Sequence, residues 1–230
     1  MTEILDPVWQ QRLTKSLHVN SSQVQSKYYQ VASVCSNGEP KNRTMVFRGF
    51  LSGTQSLLSV TDSRSEKVKE WQGNNNSRFE ICWYFAGSRE QFRLAGEVVL
   101  ISNSLESKYE DLVLGKQTKQ SLLKQQWSNL STNAKEPFYS NSPKAPFDEN
   151  SIPLIQSDRL VEQGNDIKNK FDGKKSAPSD DVIDHHDMSD NFCVVVFIPH
   201  TVDYLNLKSK PQQRCLYSLQ GDWNEQTVNP

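Results

Sequence analysis

Residues 192–199 read Phe-Cys-Val-Val-Val-Phe-Ile-Pro. A strand with one wet face alternates apolar and polar side chains. This run is apolar on both faces, which predicts a central strand, paired along its edges and covered above and below. Its partners must come mainly from far upstream, because 134–190 shows little periodicity. Suitable runs exist. Residues 28–35, 44–50, 56–61, 79–85 and 91–101 are rich in β-branched and aromatic side chains and are separated by turn signals. Ser36-Asn37-Gly38-Glu39-Pro40 and Leu51-Ser52-Gly53-Thr54 supply two of the turns. In 91–101, Phe92, Leu94, Gly96, Val98 and Leu100 share one face, and Gln91, Arg93, Ala95 and Glu97 the other. Runs 202–207 and 214–219 follow the central one. Antiparallel strands at such short intervals predict a mainly β chain with peripheral helices (α+β), closed into a small barrel.

The helices sit around this core. Asp6-Pro7 has the form of an N-cap followed by proline at the first helical position, and Trp9, Leu13 and Leu17 make one apolar face. A second short helix is expected over 21–27. Ser63-Arg64-Ser65-Glu66 fits a capping box that opens a helix over 65–72. In 104–131, Leu105, Tyr109, Leu112 and Val113, then Leu123, Trp127 and Leu130, recur at helical spacing. The stretch 134–190 reads as a long, partly disordered insertion. The expectation is one domain over 1–230: helices in 6–27, a barrel from 28–101 and 192–218, a helical segment and the insertion.

A net charge of −1 gives no basic field for nucleic acid. No run approaches 18 apolar residues, so no membrane span is expected. The N-terminus lacks the pattern of a signal peptide. The four cysteines make no CxxC pair and lie in strand-like runs, which suits reduced thiols and a cytosolic or nuclear location. Asp184-His185-His186-Asp187 reads as solvated loop rather than a metal site.

The informative residues are cations on otherwise apolar elements. Arg43 and Arg48 stand five apart on one expected strand, so alternation points them to opposite faces. Arg64, Ser65 and Lys67 open the short helix. Taken singly, each cation reads as a rim residue with its head in water. Taken together, Arg43, Arg64 and Lys67 offer forked donors and a point charge beside a helix N-terminus, which suits a phosphorylated small molecule.

Four segments in order carry a resemblance: NRTMVFRGF at 42–50, TDSRSEK at 61–67, WYFAGSREQFRLAGEV at 83–98 and RCLY at 214–217. They resemble the pyridoxamine 5′-phosphate oxidase-like flavoproteins, within that family the oxidase-related FMN-binding branch. The resemblance implies an antiparallel split β-barrel, a homodimer, and FMN in a cleft between subunits. It implies that Arg43 and Lys67 hold the FMN phosphate and that the backbone of Thr44, Met45, Val46 and Phe47 runs along the isoalloxazine ring. Arg48 would lie near flavin and substrate. Val60, Thr61, Gln91, Tyr204 and Arg214 would contact the flavin, with Lys210 toward substrate. The sequence departs from the pattern at Glu66, where the oxidases have a phosphate-binding arginine, and at Lys210-Pro211-Gln212, where they carry Arg-x-His. These departures leave two functions open: an FMN-dependent oxidoreductase, or a non-catalytic descendant serving as an interaction module.

Overall fold

The computed structural model describes residues 6–73, 77–106, 113–115, 117–146 and 187–230. Its strands are β1 (Tyr28–Val34), β2 (Pro40–Val46), β3 (Leu57–Asp62), β4 (Arg78–Phe85), β5 (Glu90–Ser102), β6 (Phe192–Asn206), β7 (Gln213–Gln220) and β8 (Asp222–Val228). They form one antiparallel sheet in the order β2-β1-β4-β5-β6-β7-β8, with β3 also paired to β6. The circuit β2-β1-β4-β5-β6-β3 closes where the chain leaving β2 meets β3. There Arg48 N–H donates to Leu58 O and Leu58 N–H to Gly49 O, each at 2.8 Å. The result is the expected barrel, with β7 and β8 as a ribbon running off β6.

The central strand behaves as its composition demands. Cys193, Val195 and Phe197 face the barrel interior with Tyr29, Ile81, Trp83 and Leu94. Phe192, Val194 and Val196 face outward into a second apolar layer with Leu123, Trp127 and Phe138. Residues expected to form two strands here make a single strand, β6, bent by a bulge. Ala95 pairs with Thr201 but Gly96 with Pro199, so His200 is the extra residue. A Cβ on Gly96 would lie 1.9 Å from Ile198 O, so only glycine lets the two backbones approach at this bend.

Helix α1 (Val8–Val19) closes one end of the barrel with Trp9 and Leu13, and starts one residue later than expected, with Pro7 at its cap. The second short helix is a 3₁₀ turn, Val24–Lys27. Helix α2 (Glu66–Gln72) buries Val68 and Trp71. The expected capping box does not form. Ser65 is the N-cap, with no side-chain cap bond, and Glu66 is the first helical residue. The reason lies one residue upstream, where Asp62 Oδ1 captures Arg64 N–H at 2.8 Å and shifts the helix start downstream.

Helix α3 (Lys119–Ser128) is capped by Thr118, whose Oγ1 accepts from Ser121 N–H, and it seats Trp127 against Phe192. Tyr109 and Leu112, part of the expected helical face, lie outside the described residues. The beginning of the expected insertion has structure. Helix α4 (Thr132–Lys135) and a 3₁₀ turn (Glu136–Phe138) lead Phe138 onto Trp127 and Phe192. Strand β8 was not foreseen.

Candidate functional site

Between β2 and β3 the barrel is split. Each strand pairs on one side only, β2 with β1 and β3 with β6, over the stretch beyond the Arg48–Leu58 seam. A cleft of about 460 Å³ occupies the gap. Thr44, Met45 and Val46 line it from β2, Val60 and Thr61 from β3, and Ser65 and Lys67 from the start of α2. Val46 O accepts from Ser59 Oγ at 2.6 Å; the other backbone N–H and C=O groups on the free edge of β2 are available to a flat polar ligand.

Arg43 and Arg48 both line this cleft. Standing on opposite faces does not keep them apart, because the cleft runs along the edge of β2 and is lined by consecutive residues of both parities, Arg43 to Val46, before the chain turns through Gly49 at φ +115°. Phe47 stays out of the cleft and packs on Phe50 and Trp83.

The electrostatics differ from one cation to the next. Arg43 Nη2 meets Glu70 Oε2 at 2.7 Å, and Ser33 hydrogen-bonds to both groups. Burial works against the Glu70 carboxylate, but the Ser33 and Arg43 bonds and the Arg43 charge outweigh it and hold its pKa below the usual range. Lys67 has no carboxylate partner among the described residues; its Nζ donates to Thr61 Oγ1 at 3.1 Å. Burial first, and the Arg43 charge second, lower the pKa of the Lys67 ammonium. Arg48 Nε is buried with no hydrogen-bond partner among the described residues. Glu66 also lines the cleft, and there it forms an ion pair with Lys144. The Lys144 hydrogen bond keeps its carboxyl pKa low.

Arg64, expected at the phosphate, is occupied elsewhere. Its Nη2 pairs with Asp62 Oδ2 at 2.6 Å and its Nη1 donates to Ser140 O at 3.0 Å. Gln91, Tyr204, Arg214 and Lys210 do not line the cleft within one chain. Gln91 lies opposite Leu205, and Leu205 opposite Arg214, so these three share the face away from the core. Asp203 holds Arg214 through bonds of 2.9 and 2.6 Å. Tyr204 turns inward onto Phe92 beneath Arg12, and its hydroxyl donates to Glu90; burial, with that bond second, pushes its pKa up to about 12. Lys144 and Pro143, which complete the cleft wall, were missed. No local pattern in the sequence joins them to a site so far upstream.

An ammonium with no paired carboxylate and a guanidinium with an unmet donor, both among the described residues, together with an open strand edge, fit a ligand with a phosphate at one end and a flat heterocycle at the other. Split barrels that bind a phosphorylated flavin are one class that such a cleft suits. The family profile described as pyridoxamine 5′-phosphate oxidase, FMN-binding domain, matches residues 6–102. Pyridoxine/pyridoxamine 5′-phosphate oxidase 2 of Arabidopsis thaliana is 30% identical over 228 residues, covering 96% of each chain. A pyridoxamine 5′-phosphate oxidase-related, FMN-binding protein of Nostoc punctiforme superposes with a TM-score of 0.76 at 32% identity, covering 99% of this chain and 100% of that one. PhzG of Burkholderia lata, in complex with tetrahydrophenazine-1-carboxylic acid, shares the fold at 16% identity, with a TM-score of 0.63 over 99% of this chain and 98% of that one. The chain belongs to the pyridoxamine 5′-phosphate oxidase FMN-binding family, and FMN is the cofactor that membership gives it.

Proposed function

We propose that the chain is an FMN-dependent oxidoreductase with Arg43 and Lys67 at the cofactor phosphate and Arg48 at the ring. Bound FMN supplies hydride acceptance from a substrate carbon, and the protein binds and orients. Lys67 meets the phosphate with a charge that, among the described residues, Thr61 alone now hydrogen-bonds. The free edge of β2 around Thr44 and the Val46 N–H hydrogen-bonds the polar rim of the ring, and Val60 covers it from β3. The observation that carries the reading is Arg48, which lines the cleft beside the strand edge and whose buried Nε has no partner among the described residues. A buried donor left unmet is costly, and a ligand acceptor removes that cost.

A second subunit would complete the site. Gln91 and Arg214 lie on one outward face, which also carries the exposed apolar side chains Tyr84 and Leu216. That composition suits a homodimer in which these residues and Lys210 reach the neighbouring cleft. The relative from Arabidopsis thaliana is named for pyridoxine and pyridoxamine 5′-phosphate. With Lys210-Pro211-Gln212 at the substrate motif, the preferred substrate here is a different small molecule. A non-catalytic role has one observation in its favour, the engagement of Arg43 by Glu70.

Flavin titration tests the reading. Expected is one FMN per chain, retained on desalting, with a mass in solution near twice that of one chain. Arg48→Met should keep FMN binding within about tenfold and abolish reduction of the bound flavin by any substrate found. A colourless protein with no saturable quenching of flavin fluorescence refutes the oxidoreductase and leaves the interaction module.

A further inference from the structure

Glu66 places a carboxylate in the cleft close to where Arg43 and Lys67 would receive a phosphate. Around that end, Arg43 and Glu70 cancel, as do Lys41, which also lines the cleft, and Glu39; Lys67 adds one positive charge, and Glu66 removes it again. A dianion would then meet no net attraction from these six groups. Lys144 reverses the balance, because its ammonium pairs with Glu66 while lining the same cleft.

Lys144 does not reach this position by chance contact of a free loop. Phe138 is buried against Trp127 and Phe192, and its carbonyl accepts from Ser189 Oγ at 2.8 Å and Asn191 Nδ2 at 2.9 Å. Two residues on, Ser140 O accepts from Arg64, itself fixed by Asp62. Ala145 N–H then closes a turn onto Ser142 O at 3.0 Å, with Lys144 in the left-handed region at φ +68°. A non-glycine residue held there indicates a backbone set by its surroundings. The strap thus runs from the outer apolar layer to the mouth of the cleft, and Arg64 is the post to which it is tied.

We infer that Lys144 is part of the phosphate subsite: it neutralises Glu66 and keeps the phosphate end of the cleft positive, with Arg64 as a positioning residue that holds the strap. The two residues together replace what a single arginine at position 66 would supply. This inference rests on FMN occupying the β2–β3 cleft.

The test compares FMN with riboflavin, which has the same ring and no phosphate. Lys144→Met should weaken FMN about tenfold and riboflavin less than twofold. Lys144→Arg should bind FMN as the parent does. Adding Glu66→Gln to Lys144→Met should restore FMN affinity to within about threefold. Equal losses for both flavins would mean that the strap only shapes the ring pocket, and unchanged FMN affinity in Lys144→Met would remove Lys144 from the site. Either result overturns this inference and leaves FMN binding intact. A parent protein that binds no FMN refutes the proposed function, and this inference falls with it.

Discussion

Lys67→Met separates the cost of holding the cleft ready from the benefit of filling it. In the flavin-free chain, the ammonium is half-buried, hydrogen-bonded among the described residues by Thr61 alone, and opposed by Arg43. Methionine keeps the unbranched shape and removes the charge, so the flavin-free protein should unfold at the same urea concentration or a higher one. FMN affinity should move the other way. A phosphate oxygen ~4 Å from the ammonium attracts it by roughly 4 kcal/mol at an effective dielectric of about 20. After desolvation, a hydrogen bond to a charged group retains about 1.5–3 kcal/mol, a loss of roughly ten- to hundredfold in Kd. Riboflavin should bind both proteins alike. The lowered Lys67 pKa adds a pH signature. Between that lowered value and the ordinary lysine value of about 10.4, the unfolded chain binds more protons than the folded one, so flavin-free stability rises with pH. FMN affinity falls over the same interval, because the phosphate needs the ammonium, and Lys67→Met flattens both trends. An FMN Kd within twofold of the parent, or equal losses for FMN and riboflavin, would refute this account of the phosphate end.

Glu70→Gln should cost about 3 kcal/mol of stability in urea unfolding, the lower end for breaking a shielded ion pair, and should tighten FMN because Arg43 is released; weaker FMN binding would mean that Glu70 is needed to aim Arg43. Gly96→Ala should cost at least about 2 kcal/mol, since its Cβ meets Ile198 backbone, while Gly53→Ala, at φ +72° with open space around it, should cost about 1 kcal/mol. Comparable melting losses for the two would argue against the close approach of β5 and β6. Phe138→Ala should cost about 3–5 kcal/mol and weaken FMN more than riboflavin by loosening the strap; calorimetry and the same titrations check both.

The barrel could be read from the sequence because its strands carry period-2 or two-sided apolar runs. β8 could not: Asp222–Val228 has mostly exposed side chains, and its place is set by backbone pairing to β7. Much of the cleft was also legible, since Arg43, Ser65 and Lys67 sit on one meander and the short helix after it. The resemblance added Thr44, Met45, Val46, Val60 and Thr61. Arg43 and Arg48, expected at two parts of one ligand, both line the cleft although they stand five apart, because an open strand edge takes side chains from both of its faces. Arg64 was misread because its nearest competitor for the guanidinium, Asp62, lies two residues away in the same turn. Lys144 depends on the docking of Phe138, a contact between distant segments.

The split in the barrel has a further consequence. Unpaired strand edges invite any extended peptide to add on, and proteins guard them with charge. Here Arg43, Glu66, Lys67 and Lys144 stand along the opening. They act as sentries against intermolecular pairing when the cleft has no ligand. A variant that trades them for apolar side chains to grip the flavin ring would gain surface for the ligand and lose its protection from self-association. Shelf life of the flavin-free protein, as much as Kd, should record their removal.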